Sequence, residues 1–415
     1  MSEGHGVFYY FCYHFMPGIS QKGRNMPASP IRKLAQYADA AKKRGIHIYH
    51  LNIGQPDIET PHQFWDVVHS LKRKVLEYSP SNGYEELRIK YAAYFKSRCG
   101  IHDIEPDDLL ITTGASEALL FTLFSILDPT DEIIIPEPLY ANYIGFSKSG
   151  GITVRPIPTF FENAFALPSI DEFEKVIHKN TKAILICNPN NPTGYTYTTE
   201  ELARLKEIVK KYYLFLISDE VYRNFIYTDT PHTSLFNSPE IAQNIIMIDS
   251  VSKAFSACGA RIGVVASKNH EVLQTVLKFA QQRLSPPTVE QLGAIGLFDV
   301  EEDYFKKVNK EYRKRRDTIV EALNKIEGVK CHTPGGAFYC IVQLPVIDTD
   351  EFCQWMLSDF NYKGDTVMMA PASGFYTEEG MGKNEVRIAY VLNSDDLLKA
   401  AKCLEEGLKK FIVKS

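Results

Sequence analysis

A chain of 415 residues with 45% hydrophobic, 12% aromatic and 23% charged residues has the composition of a globular protein, which excludes a disordered, collagen-like or coiled-coil polymer. With 46 Lys and Arg against 51 Asp and Glu the net charge is -5 and no basic run interrupts it, which excludes nucleic acid as the main partner. The eight cysteines (Cys12, Cys99, Cys187, Cys258, Cys331, Cys340, Cys353 and Cys403) form no Cys-x-x-Cys pair and have no histidines at zinc-ligand spacing, so no metal site is expected. They read as small buried hydrophobes in a reducing, cytoplasmic setting.

In chain order, residues 1–26 read as a poorly ordered N-terminal extension built around an aromatic-rich stretch, 7–16. That stretch is too short to cross a bilayer and lacks the positive start of a secretory signal. It fits a loose extension or translation from an upstream start, with Met16 or Met26 as the natural first residue. From residue 108 onward, short apolar runs alternate with longer amphipathic ones. Strands are expected at 108–112, 132–135, 152–154, 183–187, 214–217, 245–248 and 262–265, with helices at 116–127, 169–178 and 199–212. Near-continuous apolar strands between helices imply a mainly parallel sheet covered on both faces. A long charged helix follows at 301–326. Beyond Gly328 the pattern changes to mixed strands (337–342, 386–391) and two helices (350–359, 394–411). The chain therefore divides into an N-terminal segment 27–55 belonging to a small α+β domain, a large domain 56–300, a connecting helix 301–327 and the rest of the small domain, 328–415.

Open α/β sheets bind ligands at the carboxyl ends of their strands, and four loops there carry unusual polar residues. In Thr112-Thr113-Gly114-Ala115-Ser116-Glu117 a strand, a small-residue turn and a helix start suit a phosphate, though an ordinary helix cap at Ser116 is the commoner use of such a pattern. Asn188-Pro189-Asn190-Asn191-Pro192-Thr193-Gly194 is a rigid turn with more polar residues than a turn needs. Asp219, in Ser218-Asp219-Glu220-Val221-Tyr222-Arg223, ends a buried strand, so it implies a partner: a protein cation or a protonated ligand nitrogen. Ser250-Val251-Ser252-Lys253, with Arg261 downstream, suggests an amine held near a phosphate. No Gly-x-Gly-x-x-Gly, Walker A, His-Glu-x-x-His or Gly-x-Ser-x-Gly motif occurs, and Ser250-x-x-Lys253 lacks the companion motifs of the β-lactamases. A phosphate cradle, an acid for a ring nitrogen, polar donors and a lysine are the inventory that pyridoxal phosphate requires.

At these residues the sequence resembles the fold-type I, class I/II pyridoxal-phosphate-dependent aminotransferases, aspartate aminotransferase-like in pattern. The resemblance runs from about Pro27 to the C-terminus through Asn52-Ile53-Gly54-Gln55-Pro56-Asp57, Tyr78-x-x-x-x-Gly83, Thr113-Gly114-Ala115-Ser116-Glu117-Ala118, Asn191-Pro192-Thr193-Gly194, Asp219-Glu220-Val221-Tyr222, Ser250-x-Ser252-Lys253, Gly259-x-Arg261-x-Gly263 and Val386-Arg387-Ile388. It implies an α/β fold with a mainly parallel seven-stranded sheet flanked by helices, plus a smaller α+β domain. It also implies Lys253 as the Schiff-base lysine and proton shuttle, Asp219 on the pyridine nitrogen, and Tyr222 and Asn191 as donors to the ring's 3-oxygen. Ala115, Ser116, Ser250 and Arg261 would hold the phosphate and Tyr140 would stack on the ring. Arg387, with Gly54 and Asn191, would bind the substrate carboxylate, and Tyr78 would reach the phosphate of the other subunit in a homodimer. The implied reaction is ping-pong amino transfer between an L-amino acid (aspartate or a related or aromatic donor) and a 2-oxo acid, 2-oxoglutarate among them. Carbon–sulfur lyases and the synthase of the ethylene pathway share this cofactor site, and a non-catalytic binding module of the same fold is the alternative from another class. Arg283, in Gln281-Gln282-Arg283-Leu284-Ser285-Pro286-Pro287, is either a reader of a distal carboxylate or a surface arginine at a helix end.

Overall fold

The computed structural model describes residues 18–27, 29–30 and 32–414; the aromatic stretch 7–16 and Cys12 lie outside the described residues. Of the expected extension, the described part contains one short exposed helix, Gln21–Arg24, capped by the Ser20 hydroxyl.

In chain order the strands are β1 (His47–His50), β2 (Leu109–Thr112), β3 (Glu132–Glu137), β4 (Thr153–Pro158), β5 (Thr181–Cys187), β6 (Phe215–Asp219), β7 (Ile245–Ser250), β8 (Gly263–Ala266), β9 (Lys330–Cys331), β10 (Tyr339–Gln343), β11 (Asp365–Met368), β12 (Ala370–Pro371) and β13 (Glu385–Ala389). Seven of them form one sheet in the order β2-β8-β7-β6-β5-β3-β4, parallel except that β8 runs against both β2 and β7. Successive side chains of a strand point to opposite faces. Leu110, Ile133, Ala183, Ile217, Ile246 and Val265 accordingly join one core cluster, and their neighbours Ile111, Ile134, Ile184, Leu216, Ile245 and Val264 join the other. Two apolar faces explain why these strands are unbroken runs in the sequence rather than alternating ones.

Helices cover both faces. Gly114–Ile126 packs Leu119 and Leu123 into the first cluster, and Thr199–Tyr212 packs Leu202, Leu205 and Ile208 into the second. The latter starts with a reciprocal cap, Thr198 accepting from the Glu201 N–H and Glu201 accepting from the Thr198 N–H, and stops at Tyr213 in the left-handed region. The long helix spans Glu302–Asn324.

The C-terminal strands build a second, antiparallel sheet, β12-β13-β10-β9. The parallel pair β1-β11 brings the chain's early residues beside it. Leu51 extends that contact, donating to the Met368 carbonyl and accepting from the Ala389 N–H. The loop bearing Gly54 is thereby laid next to the strand that carries Arg387.

Candidate active site

Because β5, β6 and β7 run parallel, Cys187, Asp219 and Ser250 finish at one edge of the sheet, and the loops after them converge there. A cavity of about 590 Å³ opens at this edge, between the seven-stranded sheet and β13. Of the residues singled out in the sequence, the structure brings Gly54, Ala115, Ser116, Tyr140, Asn191, Asp219, Tyr222, Ser250, Lys253, Arg261 and Arg387 to its wall.

Asp219 is 4% exposed and has no cationic partner among the described residues, so the internal salt bridge is not formed. One oxygen accepts from the Tyr143 hydroxyl at 2.7 Å and the other from the Val221 N–H at 3.3 Å. Burial pushes this carboxyl up to about 6, against the pull of those two donors. A protonated nitrogen placed against it would remove that penalty.

Three loops meet closely enough to form a cradle. Gly114 has φ +73°, and a Cβ there would stand 2.5 Å from Arg261 Nη2; a Cβ on Gly263 would stand 2.4 Å from the Gly114 carbonyl carbon. Only glycine permits both approaches. The helix that begins at Gly114 has Thr113 at its cap, with Glu117 accepting from the Thr113 N–H at 2.7 Å. Ser116 is therefore not the capping residue; it lies in the first turn, where N–H groups lack helical partners and favour an anion. Ser250 caps the short helix Val251–Ala254 by accepting from the Ser252 N–H, and donates to the Ile262 carbonyl at 2.8 Å. Arg261 donates to the Cys258 carbonyl at 3.1 Å and has no carboxylate partner among the described residues.

Opposite the cradle, Lys253 donates to the Gly54 carbonyl at 2.8 Å, with Cys258 Sγ at 3.6 Å and the Tyr222 ring 6.0 Å away. Asn191 lies between two functional groups: its Nδ2 is 3.5 Å from the Tyr222 hydroxyl, and its Oδ1 accepts from Arg387 Nη1 at 3.1 Å. Arg387 is buried at 1% exposure, and its Nη2 donates to the Asn52 carbonyl at 2.5 Å. Its Nε has no partner, and no carboxylate pairs with it among the described residues. Tyr140 accepts from Asn142 at 2.8 Å, and burial pushes its phenol up to about 12.

Two residues stand elsewhere. Tyr78 is 77% exposed and does not reach the cavity of its own chain. Arg283 turns away from the cavity: its Nε lies 3.4 Å from Glu117, and Nη2 donates to the Ser81 and Ile111 carbonyls at 3.3 and 3.4 Å. It does not line the cavity of its own chain and is part-buried; it ties the loop after Tyr78 to the end of β2. Reasoning from sequence missed Tyr143, Tyr339 and Cys258, all of which line the cavity. The only local signal was the placement of Tyr143 three residues after Tyr140, at the start of the helix Asn142–Gly150.

The donor set fits pyridoxal phosphate: a buried carboxyl without a cation, a glycine-lined anion cradle, and an amine between them. No group of three or more His, Cys, Asp or Glu among the described residues is arranged to hold a metal ion. No helix among them is long and apolar enough to cross a membrane.

Residues 46–404 match the family described as aminotransferase class I and II. The chain is 31% identical over 397 residues to an aspartate aminotransferase of Pyrococcus horikoshii, covering 94% of this chain and 97% of that protein. It is 30% identical over 399 residues to aromatic-amino-acid aminotransferase 2 of Thermococcus litoralis, covering 94% and 98%. The crystal structure of an aspartate aminotransferase from Thermotoga maritima superposes with a TM-score of 0.86 at 32% identity, covering 94% of this chain and all of that one. The chain belongs to the class I and II aminotransferases and is a pyridoxal-phosphate-dependent aminotransferase.

Proposed function

We propose that the enzyme moves an amino group between an L-amino acid, aspartate or a related or aromatic donor, and 2-oxoglutarate, in two half-reactions at this one cavity. The observation that carries this reading is Arg387: a buried guanidinium with no carboxylate partner among the described residues, on the same cavity as Lys253 and Asp219. A buried charge of this kind is costly until a carboxylate arrives, and every amino and 2-oxo acid brings one. Aspartate and aromatic donors are named because relatives bearing those names align over nearly the whole chain.

Bound pyridoxal phosphate supplies a carbon that exchanges one amine for another and a ring that accepts electrons. The chain's residues do the rest. Asp219 keeps a proton on the ring nitrogen. Tyr222 and Asn191 donate to the 3-oxygen, while the Ala115 N–H, Ser116, Ser250 and Arg261 hold the phosphate. Tyr140 covers the ring face. Arg387 grips the substrate carboxylate with two parallel hydrogen bonds, beside the Gly54 backbone, and so fixes which bond at Cα faces Lys253. Lys253, in its amine form, takes the proton from Cα. We further read residues 27–55 and 328–415 as one small domain, joined to the large domain 56–300 by the helix 301–327. Tyr78 serves the cavity of a second copy in a homodimer.

The test is a panel of amino donors with 2-oxoglutarate, scored by glutamate formation. Acidic or aromatic donors should lead, and Lys253→Ala should abolish turnover while the protein stays folded. Release of ammonia and a 2-oxo acid without any acceptor would overturn the transfer reading in favour of a lyase.

A further inference from the structure

Tyr339, on β10, touches both halves of the site at once. Its hydroxyl lies 3.0 Å from that of Tyr222, its one hydrogen-bond partner among the described residues. Its ring lies against the Arg387 guanidinium, 4.5 Å from centroid to Cζ. The phenol also occupies the space a side chain on Gly54 would need, since a Cβ there would be 1.7 Å from the Tyr339 hydroxyl oxygen. The residue is 3% exposed.

We propose that Tyr339 is a positioning residue with two separable parts: its ring fixes the plane of Arg387 for the substrate carboxylate, and its hydroxyl holds Tyr222 for the cofactor's 3-oxygen. This rests on the roles of Arg387 and Tyr222 given above. The ring part follows from the arrangement around the guanidinium, which has two aromatic rings against it, Tyr339 at 4.5 Å and Phe375 at 4.9 Å. Aromatic faces restrain a guanidinium plane without using its N–H donors; Asn191 and the Asn52 carbonyl take one each, and the Nε–H has no partner among the described residues. The hydroxyl part follows from the buried pair of phenols. When Tyr222 donates to the cofactor, Tyr339 is left to donate to Tyr222, and a donor that also accepts is strengthened. A phenylalanine would fill the same volume, so packing alone does not explain the hydroxyl.

The test uses the loaded enzyme and two readouts, the pH titration of its visible absorbance and the split between KM and kcat for the best donor of the panel. Tyr339→Phe should raise the titration midpoint by roughly half to one unit, because the deprotonated 3-oxygen loses support, with KM changed less than about threefold. Tyr339→Leu should give the same rise and increase KM about tenfold, the loss expected for a desolvated cation–π contact. Should Tyr339→Leu fail to fold, Tyr339→Phe decides alone. A Tyr339→Phe enzyme that titrates like wild type, or a folded Tyr339→Leu enzyme with unchanged KM, overturns the proposal. Tyr222→Phe and Arg387→Lys run alongside: if the first leaves the midpoint unmoved or the second leaves KM unmoved, the roles of those two residues fail, and that of Tyr339 with them.

Discussion

Arg387 and Asp219 are opposite charges, each buried without a counter-charge among the described residues, and each makes a separate prediction. Burial pulls the Arg387 guanidinium below its ordinary range, offset in part by the neighbouring phenols of Tyr339, Tyr222 and Tyr140. Its fork geometry matches a carboxylate bidentately, which a lysine ammonium cannot reproduce. Arg387→Lys should therefore lower kcat/KM by about 3–5 kcal/mol, the cost of stripping one partner from a buried charge pair. Chemically different amino donors should suffer alike; a loss confined to dicarboxylic donors would mean that Arg387 reads the side chain instead. For Asp219 the sign is set by burial, which raises its carboxyl from an ordinary 3.8 to about 6. A group raised on folding stabilises the fold fully below its unfolded value, and that stability drains away as pH climbs through the folded one. The cofactor-free protein should accordingly lose on the order of 1–2 kcal/mol between pH 5 and pH 8 from this group. Urea unfolding at both pH values, with Asp219→Asn beside wild type, measures it. The difference between the two proteins should shrink or reverse at high pH, and added pyridoxal phosphate should restore the wild type there. A pH-independent difference would remove Asp219 as the source.

Strand ends need to be held still relative to one another, and the ends of β6 and β7 are held by a group outside the cavity. Arg223 is buried 3.4 Å from both Glu220 and Asp249, the residues beside Asp219 and Ser250, and its guanidinium lies 4.9 Å from the Phe95 ring. Burial pushes Asp249 up to about 6 even with Arg223 pulling it down, and burial likewise raises Glu220. Arg223→Met would leave two buried carboxyls sharing no cation, a change that costs about 3–5 kcal/mol when one partner of a buried pair is removed. Adding Glu220→Gln to Arg223→Met should recover part of that loss, whereas simple cavity packing predicts no recovery. These strands were readable in the sequence because both their faces are buried, so each is an apolar run that halts at a polar residue where the cavity begins. The helix Glu85–Arg98 carried a blurred mark: Leu87, Tyr91, Ala92, Tyr94 and Phe95 are buried on one face, but a buried Arg88 sits among them and the apolar Ile89 is exposed on the opposite side. β1, with the sequence His-Ile-Tyr-His, is defined by its distant partner β11 and not by its own residues. The same reason hid Tyr339 and Tyr143. An aromatic residue inside a strand or helix reads as core until folding shows which polar groups its hydroxyl meets.

Across the whole molecule, Ala115, Asn191, Asp219 and Lys253 meet at one edge of the seven-stranded sheet, and Gly54 and Arg387 join them where the early chain pairs with the late chain through β1 and β11. One expected contributor, Tyr78, stands outside that convergence. It follows Val75 and Leu76, and the three are 72%, 67% and 77% exposed, an apolar run of the kind that marks a protein–protein surface. Nearby, Arg283 and Gln291 fasten this segment to the body: Arg283 donates to the Ser81 carbonyl, and Gln291 donates to the Ser79 hydroxyl at 2.7 Å. A segment exposed yet anchored is suited to deliver a side chain into a neighbouring copy. If Tyr78 completes the phosphate site of the other subunit, two crippled chains should repair one another. A dimer of a Lys253→Ala chain with a Tyr78→Ala chain has one site carrying both defects and one carrying neither. Co-expressed with different tags and purified through both, it should show about half the wild-type activity, one intact site of two in a symmetric pair. The Lys253→Ala homodimer should be inactive, and the Tyr78→Ala homodimer weakened in cofactor binding by roughly tenfold, as for a lost hydrogen bond to a charged phosphate. Were Tyr78 to act on its own chain, the doubly tagged dimer would hold one site without the lysine and one without the tyrosine, and its activity would be only the mean of the two homodimers.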